Sequence, residues 1–522
     1  MHPAHQAPGP ITLDGKPLSF RNLALIARRG AELVPDATAL QRVEVARRVV
    51  DERIARGEAV YGATTGVGAM KDVSWSPEQR EAFTLGLVRA HHFGTGAPFP
   101  GSVVRMAMAI RVNTALTGRV GCSPELVHAY LGLLEHDVVP VVRRTGSIGT
   151  ADIGLMGQIG AVLTGVGEAV YRNRRMSAEA ALREAGLLPC VMPPRDALAS
   201  ISVNAVGFAA AAEAVRAAAH TLRVLLATSL TTAGALGASR DPWKAVAHVG
   251  TEREAEIGSW LFRNAMGWDW PNATHIQDPL SLRMMPQVFG SSFDMLLAAG
   301  RSILAATGRT DDNPVVVDGQ VLTSGGSLPL DVTLYLQAAQ LGLAHAARNS
   351  FNRCVLLANG ARRDLPINLV PRGAIATGFG PIIKLAGELF ARALSMANPV
   401  SAQSLVVAAG IEDEAAFLPL VVERFERQVR ALKRLAALEG LLSAQAMDIH
   451  GDRPTGVPAM IYALVRRHAA FYEIDRPLSS EVEIIETELG AEETVAELIS
   501  LSPLPDLDEF FALGPVTEYV KE

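Results

Sequence analysis

The chain has 522 residues, 49% of them apolar, and a formal net charge of −6 with acids and bases interspersed. A chain of that length and apolar content can bury a large core unaided, and its charge pattern gives no electrostatic case for a nucleic acid or an anionic membrane as partner. Cys122, Cys190 and Cys354 are widely separated and form neither a disulfide framework nor a zinc-ligand pattern, which suits a reducing cytoplasm.

The opening "MHPAHQAPGPITLDG" lacks the basic and apolar regions of a signal peptide, and residues 1–12 read as a disordered tail. Residues 13–195 read as a loop-rich N-terminal region, 196–450 as a central bundle of long helices, and 451–522 as a C-terminal helical segment. "SPEQ" at Ser76 to Gln79 has a serine N-cap, proline at the first helical position and glutamine at the third, which marks a helix start; "SPEL" from Ser123 repeats the opening. From Arg195 onward apolar residues recur at spacings of three and four, which predicts helices over 198–230, 286–306, 331–357, 379–397 and 415–449. The apolar stretch 207–238 is interrupted by Glu213, Arg216, His220 and Arg223, so it reads as a core helix rather than a membrane span. The fold class is mainly α, a bundle of long helices packed through alanine-rich faces. "TGRTDDNPVVVDGQVLTSGG" and "GARRDLPINLVPRGAIATG" read as loops with a short hairpin, and loops on a rigid bundle are where chemistry is usually placed.

Three stretches carry candidate chemistry. "YGATTGVG", Tyr61 to Gly68, sets a tyrosine on a glycine loop; as a phenolate it can take a weakly acidic C–H proton if positive neighbours lower its pKa. "LVRAHHFGTG" holds His91 and His92, which point in different directions on a helix and make a poor metal pair. "IQDPLSLRMMPQVFG" places Gln277, Asp278 and Arg283 before a helix, and an arginine fork suits a carboxylate.

Taken in order, these stretches, "GSIGTADIG" from Gly146, "DDNP" from Asp311 and "IEDE" from Ile411 resemble the motifs of the histidine and phenylalanine ammonia-lyase superfamily, spread over residues 61 to 414. The resemblance implies a nearly all-helical homotetramer with active sites shared between subunits. It also implies a prosthetic methylidene-imidazolone, which the family forms from an Ala-Ser-Gly tripeptide by cyclisation and loss of the serine hydroxyl. Here the three positions are Thr150, Ala151 and Asp152. An alanine methyl cannot leave as water, so no methylidene-imidazolone is expected and no cofactor replaces it.

Carried over by position, Tyr61 matches the family's catalytic tyrosine, His91 its substrate-contacting histidine, Gln277 and Arg283 its substrate and carboxylate binders, and Glu412 its late active-site acid. Leu280 replaces a tyrosine that supports the prosthetic group, Thr64 replaces the loop asparagine, and Ser202 falls at another family asparagine, leaving Asn204 as a substitute substrate contact. The losses cluster around the prosthetic group. Asp152 is expected to cap the helix beginning near Ile153, to project into the space the ring would fill, or both, as acid or base opposite Tyr61. The expected function is elimination or proton-transfer isomerisation on a small carboxylate, an amino or hydroxy acid, with no metal. The alternative is a non-catalytic ligand-binding or hetero-oligomer partner.

Overall fold

Four helices, Ala205–Ala235, Met285–Ala306, Leu330–Ala358 and Leu418–His450, pack along one another and carry the fold. The computed structural model describes residues 9–28, 32–266, 268–271, 273, 275–360, 362–403 and 405–514. Ala205–Ala235 is buried nearly all round, and its run Ala209 to Ala212 lets neighbouring helices approach closely. By length and composition Asp196–Ala235 and Met285–Ala306 are each long and apolar enough to cross a membrane, but the most apolar window of the first is 94% buried inside the protein, where a core helix sits. Gly101–Ala115, Ile383–Met396 and Gly456–His468 pack around the four.

The strands are short. Val315–Val317 and Gln320–Leu322 pair antiparallel with Val316 opposite Val321. Their turn, Asp318 and Gly319, has φ of 48° and 71°, the left-handed pair that a two-residue hairpin prefers. This is the hairpin expected in the first loop; the second loop has a 3-10 turn at Ile367–Leu369 instead. One buried apolar cluster reaches from Ile11 to Leu513, so the three sequence regions share a core.

Where boundaries shifted, a specific contact moved them. Residues 1–8 lie outside the described residues, and the expected tail ends before residue 12: Ile11–Leu13 pairs parallel with Leu33–Pro35, burying Ile11 and Leu13. The helix expected over 198–230 is two, Asp196–Ile201 and Ala205–Ala235, because Asn204 spends its backbone N–H and its side-chain amide on Asp311. The helix expected from 415 begins at Leu418: Phe417 has φ of 50° and donates its N–H to the Ile148 carbonyl.

Candidate active site

Four helices begin close together at one end of the bundle: Ile153–Leu163, Ala205–Ala235, Leu330–Ala358 and Leu418–His450. Hydrogen bonds tie their first turns. Ala151 donates its N–H to the Ser327 carbonyl at 2.9 Å, which also accepts from Asn204 Nδ2 at 2.8 Å. Ser327 leads into Leu330–Ala358, and Ile148 is bonded to Phe417 at the head of Leu418–His450. Thr150 Oγ1 donates to the Glu414 carbonyl at 3.0 Å. Four helix N-termini bring partial positive charge to one place, a setting that favours an anion.

Asp152 holds the centre of this web. It stands at the N-cap of Ile153–Leu163, yet its side chain caps no N–H of that helix. Its Oδ2 accepts from Gly207 N at 2.6 Å, in the first turn of Ala205–Ala235, and its Oδ1 accepts from Ser147 Oγ at 3.0 Å. The expectation that Asp152 caps its own helix is therefore corrected: it caps the neighbouring one. The expected projection into open space is corrected as well, since Asp152 is fully buried with both oxygens bonded. Burial is the main cause that pushes its carboxyl up to about 7; the Gly207 and Ser147 bonds oppose the rise and nearby Asp311 adds to it. Gly207 leaves room for this contact: a Cβ there would lie 2.8 Å from Leu418 Cδ2 and 2.9 Å from Asp152 Oδ2, so one of those side chains would have to shift.

Asn204 is also fully buried. Its amide nitrogen is committed to Asp311 Oδ2 and Ser327, while its Oδ1 and Asp311 Oδ1 are buried without a hydrogen-bond partner. Asn204 is thus a helix N-cap in this chain rather than an open substrate contact. Asp311 is pushed up to about 6, first by burial and then by Asp312, which Arg111 grips with two bonds and Arg195 with a third. Sequence reasoning noted the "DDNP" stretch without seeing that Asp311 would meet Asn204, and it missed Ser147 and Ser327 altogether.

Tyr61 and Glu412 come together beside this web. The Tyr61 loop and the turn Ala408–Gly410 touch, and Glu412 closes that turn through a bridge to Val407. Tyr61 Oη accepts from Gly68 N at 2.9 Å. Gly62 brings the loop against Leu198, where a Cβ would sit 2.2 Å from Leu198 Cδ2. The Glu412 carboxylate has no hydrogen bond or ion pair among the described residues. Burial raises the Tyr61 phenol above its ordinary range, and Glu412 raises it further against the Gly68 bond. Among the described residues no cation contributes to the Tyr61 shift, so the condition for an activated phenolate is not met within them. His91 ends the helix Pro77–Ala90 with Nδ1 2.7 Å from the Leu87 carbonyl. It packs on Gly157, one turn into Ile153–Leu163.

Gln277 and Arg283 lie elsewhere. Arg353 bonds the Ser281 carbonyl at 3.1 Å and Ser229 Oγ at 2.5 Å, which sets the 280–283 segment beside Ser229. From Gly207 to Ser229 along the helix is about 33 Å at a rise of 1.5 Å per residue. Gln277 is exposed, and Arg283 makes no hydrogen bond or ion pair among the described residues, its Nε being buried without a partner. Asp278 is bound instead by Arg362 and Ser239 N. No group of three or more His, Cys, Asp or Glu among the described residues is arranged to hold a metal.

The mainly helical bundle is the fold of the ammonia-lyases and aminomutases. The chain belongs to the aromatic amino acid lyase family, whose model matches residues 18–467. It is 29% identical over 488 residues to a histidine ammonia-lyase of Treponema denticola, covering 91% of this chain and 95% of that one. It is 28% identical over 484 residues to that of Burkholderia multivorans, covering 91% and 96%. Among solved structures it resembles the ergothioneine-degrading ergothionase of Treponema denticola (TM-score 0.90, 26% identity, 93% of this chain and 100% of that one). It also resembles the histidine ammonia-lyase of Trypanosoma cruzi (TM-score 0.86, 25% identity, 98% and 99%). The tyrosine aminomutase of Streptomyces globisporus, at 20% identity, TM-score 0.88 and coverage of 95% and 100%, shares the fold.

Proposed function

We propose that this chain is a lyase working without a methylidene-imidazolone on a small carboxylate, with Tyr61 as the base and Arg283 of the partner subunit as the carboxylate anchor. One observation carries this reading. Forming the ring requires a leaving hydroxyl at the middle residue and a free amide nitrogen at the third. Ala151 offers only a methyl, the Asp152 N–H is donated to the Val203 carbonyl at 3.1 Å, and the Asp152 carboxyl is committed to Gly207 and Ser147. In our reading these residues do not fit the group, and no step passes through it.

Without an electrophile to activate the amine, elimination needs a group that departs unaided or a more acidic proton. Ordinary histidine or phenylalanine deamination is then disfavoured. The neighbour that degrades ergothioneine points to a suitable class, because the α-nitrogen of ergothioneine is a trimethylammonium that departs as a neutral amine. The uncommitted Glu412 carboxylate beside Tyr61 supplies a counter-charge for such a cation. Tyr61 removes the β proton, and a cation from another copy offsets the cost of its buried phenolate.

The Arg283 segment lies beside Ser229, about 33 Å along the helix from Gly207, which supports a homotetramer with sites shared between copies. Leu334, Tyr335, Leu341 and Met295 are exposed on the bundle helices, which suits burial against further copies. A second reading, non-catalytic ligand binding, is favoured by the raised Tyr61 phenol. The test feeds the wild-type chain and Tyr61→Phe with pooled amino acids, hydroxy acids and trimethylammonium betaines, following amine release and ultraviolet absorbance of new conjugated acids. Turnover that disappears in the variant supports the lyase; ligand binding with no turnover from any pool supports the second reading.

A further inference from the structure

Two adjoining cavities open beside the helix Ala37–Ala55, one of about 730 Å³ and one of about 460 Å³, and Thr38, Arg42, Thr117 and Arg119 line both. Tyr61, Asp152, Asn204 and Glu412 line neither. The larger is bounded by the Gly15 turn and by Gly308 to Thr310; the smaller is walled by the helix on one side and the hairpin 315–322 on the other.

The two halves differ in chemistry. Around the larger cavity the acids are committed: Asp14 pairs with Lys16 at 2.8 Å, Asp331 holds Arg309 at 3.1 Å, and Asp36 caps Ala37–Ala55 by accepting from Ala39 N at 2.9 Å. Arg42 and Arg119, on the shared wall, have no carboxylate partner among the described residues. Arg42 donates Nη2 to the Asp14 carbonyl at 2.7 Å and to the Leu116 carbonyl at 3.1 Å, bonds that fix a guanidinium without neutralising it. Arg119 is exposed. The Thr117 and Thr310 hydroxyls meet at 2.6 Å, and Thr38 brings the first turn of a 19-residue helix, whose positive end favours an anion. Forked donors, hydroxyls and a helix end on one wall suit a phosphate group.

The smaller cavity is a slot with apolar walls. Val45 and Val49 line it from the helix, and Val316 and Val317 from the hairpin. Ala46, Val50, Val316 and Val321 share a buried cluster that holds the two elements together. Val45 to Val49 spans about 6 Å, one helical turn, which is the breadth of a flat ring rather than the length of an acyl chain. Gln41 and Asp318 also line the slot and offer an amide and a carboxylate to the polar edge of such a ring.

We propose that this cleft binds a nucleoside phosphate, with its phosphates on Arg42 and Arg119 and its base in the slot between Ala37–Ala55 and the hairpin. Thr310 and Val316 flank Asp311 and Asp312 in the chain, and Val316 N donates to the Arg119 carbonyl at 2.8 Å. An occupant therefore braces the segment from which Asp311 holds Asn204.

Calorimetric titration of the full chain with ADP, GDP, CDP and UDP, and separately with pyrophosphate, tests the site. At least one nucleotide is expected to bind once per chain and about tenfold or more tighter than pyrophosphate, because only a nucleotide fills the slot. Arg119→Glu changes an exposed side chain and leaves the core untouched; it is expected to weaken that nucleotide by about tenfold or more. Arg48→Glu, exposed on the same helix but off the lining, makes the same change in net charge and is expected to shift the affinity by less than about twofold. Three results overturn the proposal: no nucleotide binding with a Kd below about 1 mM, pyrophosphate binding as tightly as the nucleotides, or equal effects of Arg119→Glu and Arg48→Glu. A nucleotide whose affinity ignores Arg119→Glu binds elsewhere and overturns it as well.

Discussion

Asp152 sits beside the head of Ala205–Ala235 and the segment carrying Arg283 beside Ser229 further along the same helix, and the chain treats the two places differently. Around Asp152 almost every polar group is committed: both its oxygens, the Asn204 amide, the Ala151 N–H and the Thr150 hydroxyl all bond within the chain. Around Arg283 the frame is equally firm, but the presented groups are open, with Gln277 and Leu280 exposed and the Arg283 guanidinium unbonded among the described residues. One end is built to hold its own backbone in place. The other leaves its groups uncommitted among the described residues, and we propose that a second copy meets them.

The comparison can be broken first at the frame behind Arg283. Glu439 accepts from Arg353 and Ser350 in a fully buried cluster that also fixes the Ser281 carbonyl. Glu439→Ala strands the Arg353 charge and should cost about 3–5 kcal/mol of unfolding free energy, read by denaturant titration; a loss under about 1 kcal/mol would show that the frame is not held there. Tyr61→Phe removes only a hydroxyl and the Gly68 bond. It should lower turnover by about 10²–10⁴-fold while the melting midpoint stays near wild type, and a protein that turns over normally without the phenol has another base.

The committed end can be sharpened with smaller changes. Gly207→Ala forces a methyl against Leu418 and Asp152 and should destabilise by about 1–3 kcal/mol, against the helix propensity that favours alanine. A neutral or stabilising result would mean that the two neighbours yield freely. The smallest effect is in pH dependence. Asp152 has a folded value of about 7 against an ordinary value of 3.8, so the folded chain holds a proton that the unfolded chain releases. The stability this contributes is complete below about pH 4 and is lost as pH rises through about 7. Subtracting the Asp152→Asn melting curve from the wild-type curve should show that decline, and a difference that is flat over the same range would place the ionisation elsewhere.

Much of this was legible in the residues. Spacings of three and four predicted the long helices, and the Asp-Gly pair at 318 and 319 explains the hairpin. The tyrosine loop, the altered tripeptide and Glu412 were legible as a set, and the structure brings them to one end. What the sequence concealed depends on partners far along the chain. Nothing local shows that Asp152 bonds Gly207 rather than its own helix, because a capping aspartate reads the same either way. Asn204 looked like a substrate contact until Asp311, more than a hundred residues on, was seen to consume its donors. Helix length was the overlooked signal: a helix running unbroken from 205 to 235 already separates the groups at its two ends.

The most direct test of the split site mixes two defective chains. Tyr61→Phe and Arg283→Ala, co-expressed in equal amounts with different tags and purified through both, should each be inactive alone. If each site draws Tyr61 from one copy and Arg283 from another, random assembly restores about a quarter of the sites, and turnover returns to roughly that fraction. If both residues serve within one chain, no mixture contains an intact site, and the absence of any recovery from a well-mixed oligomer would contradict the account.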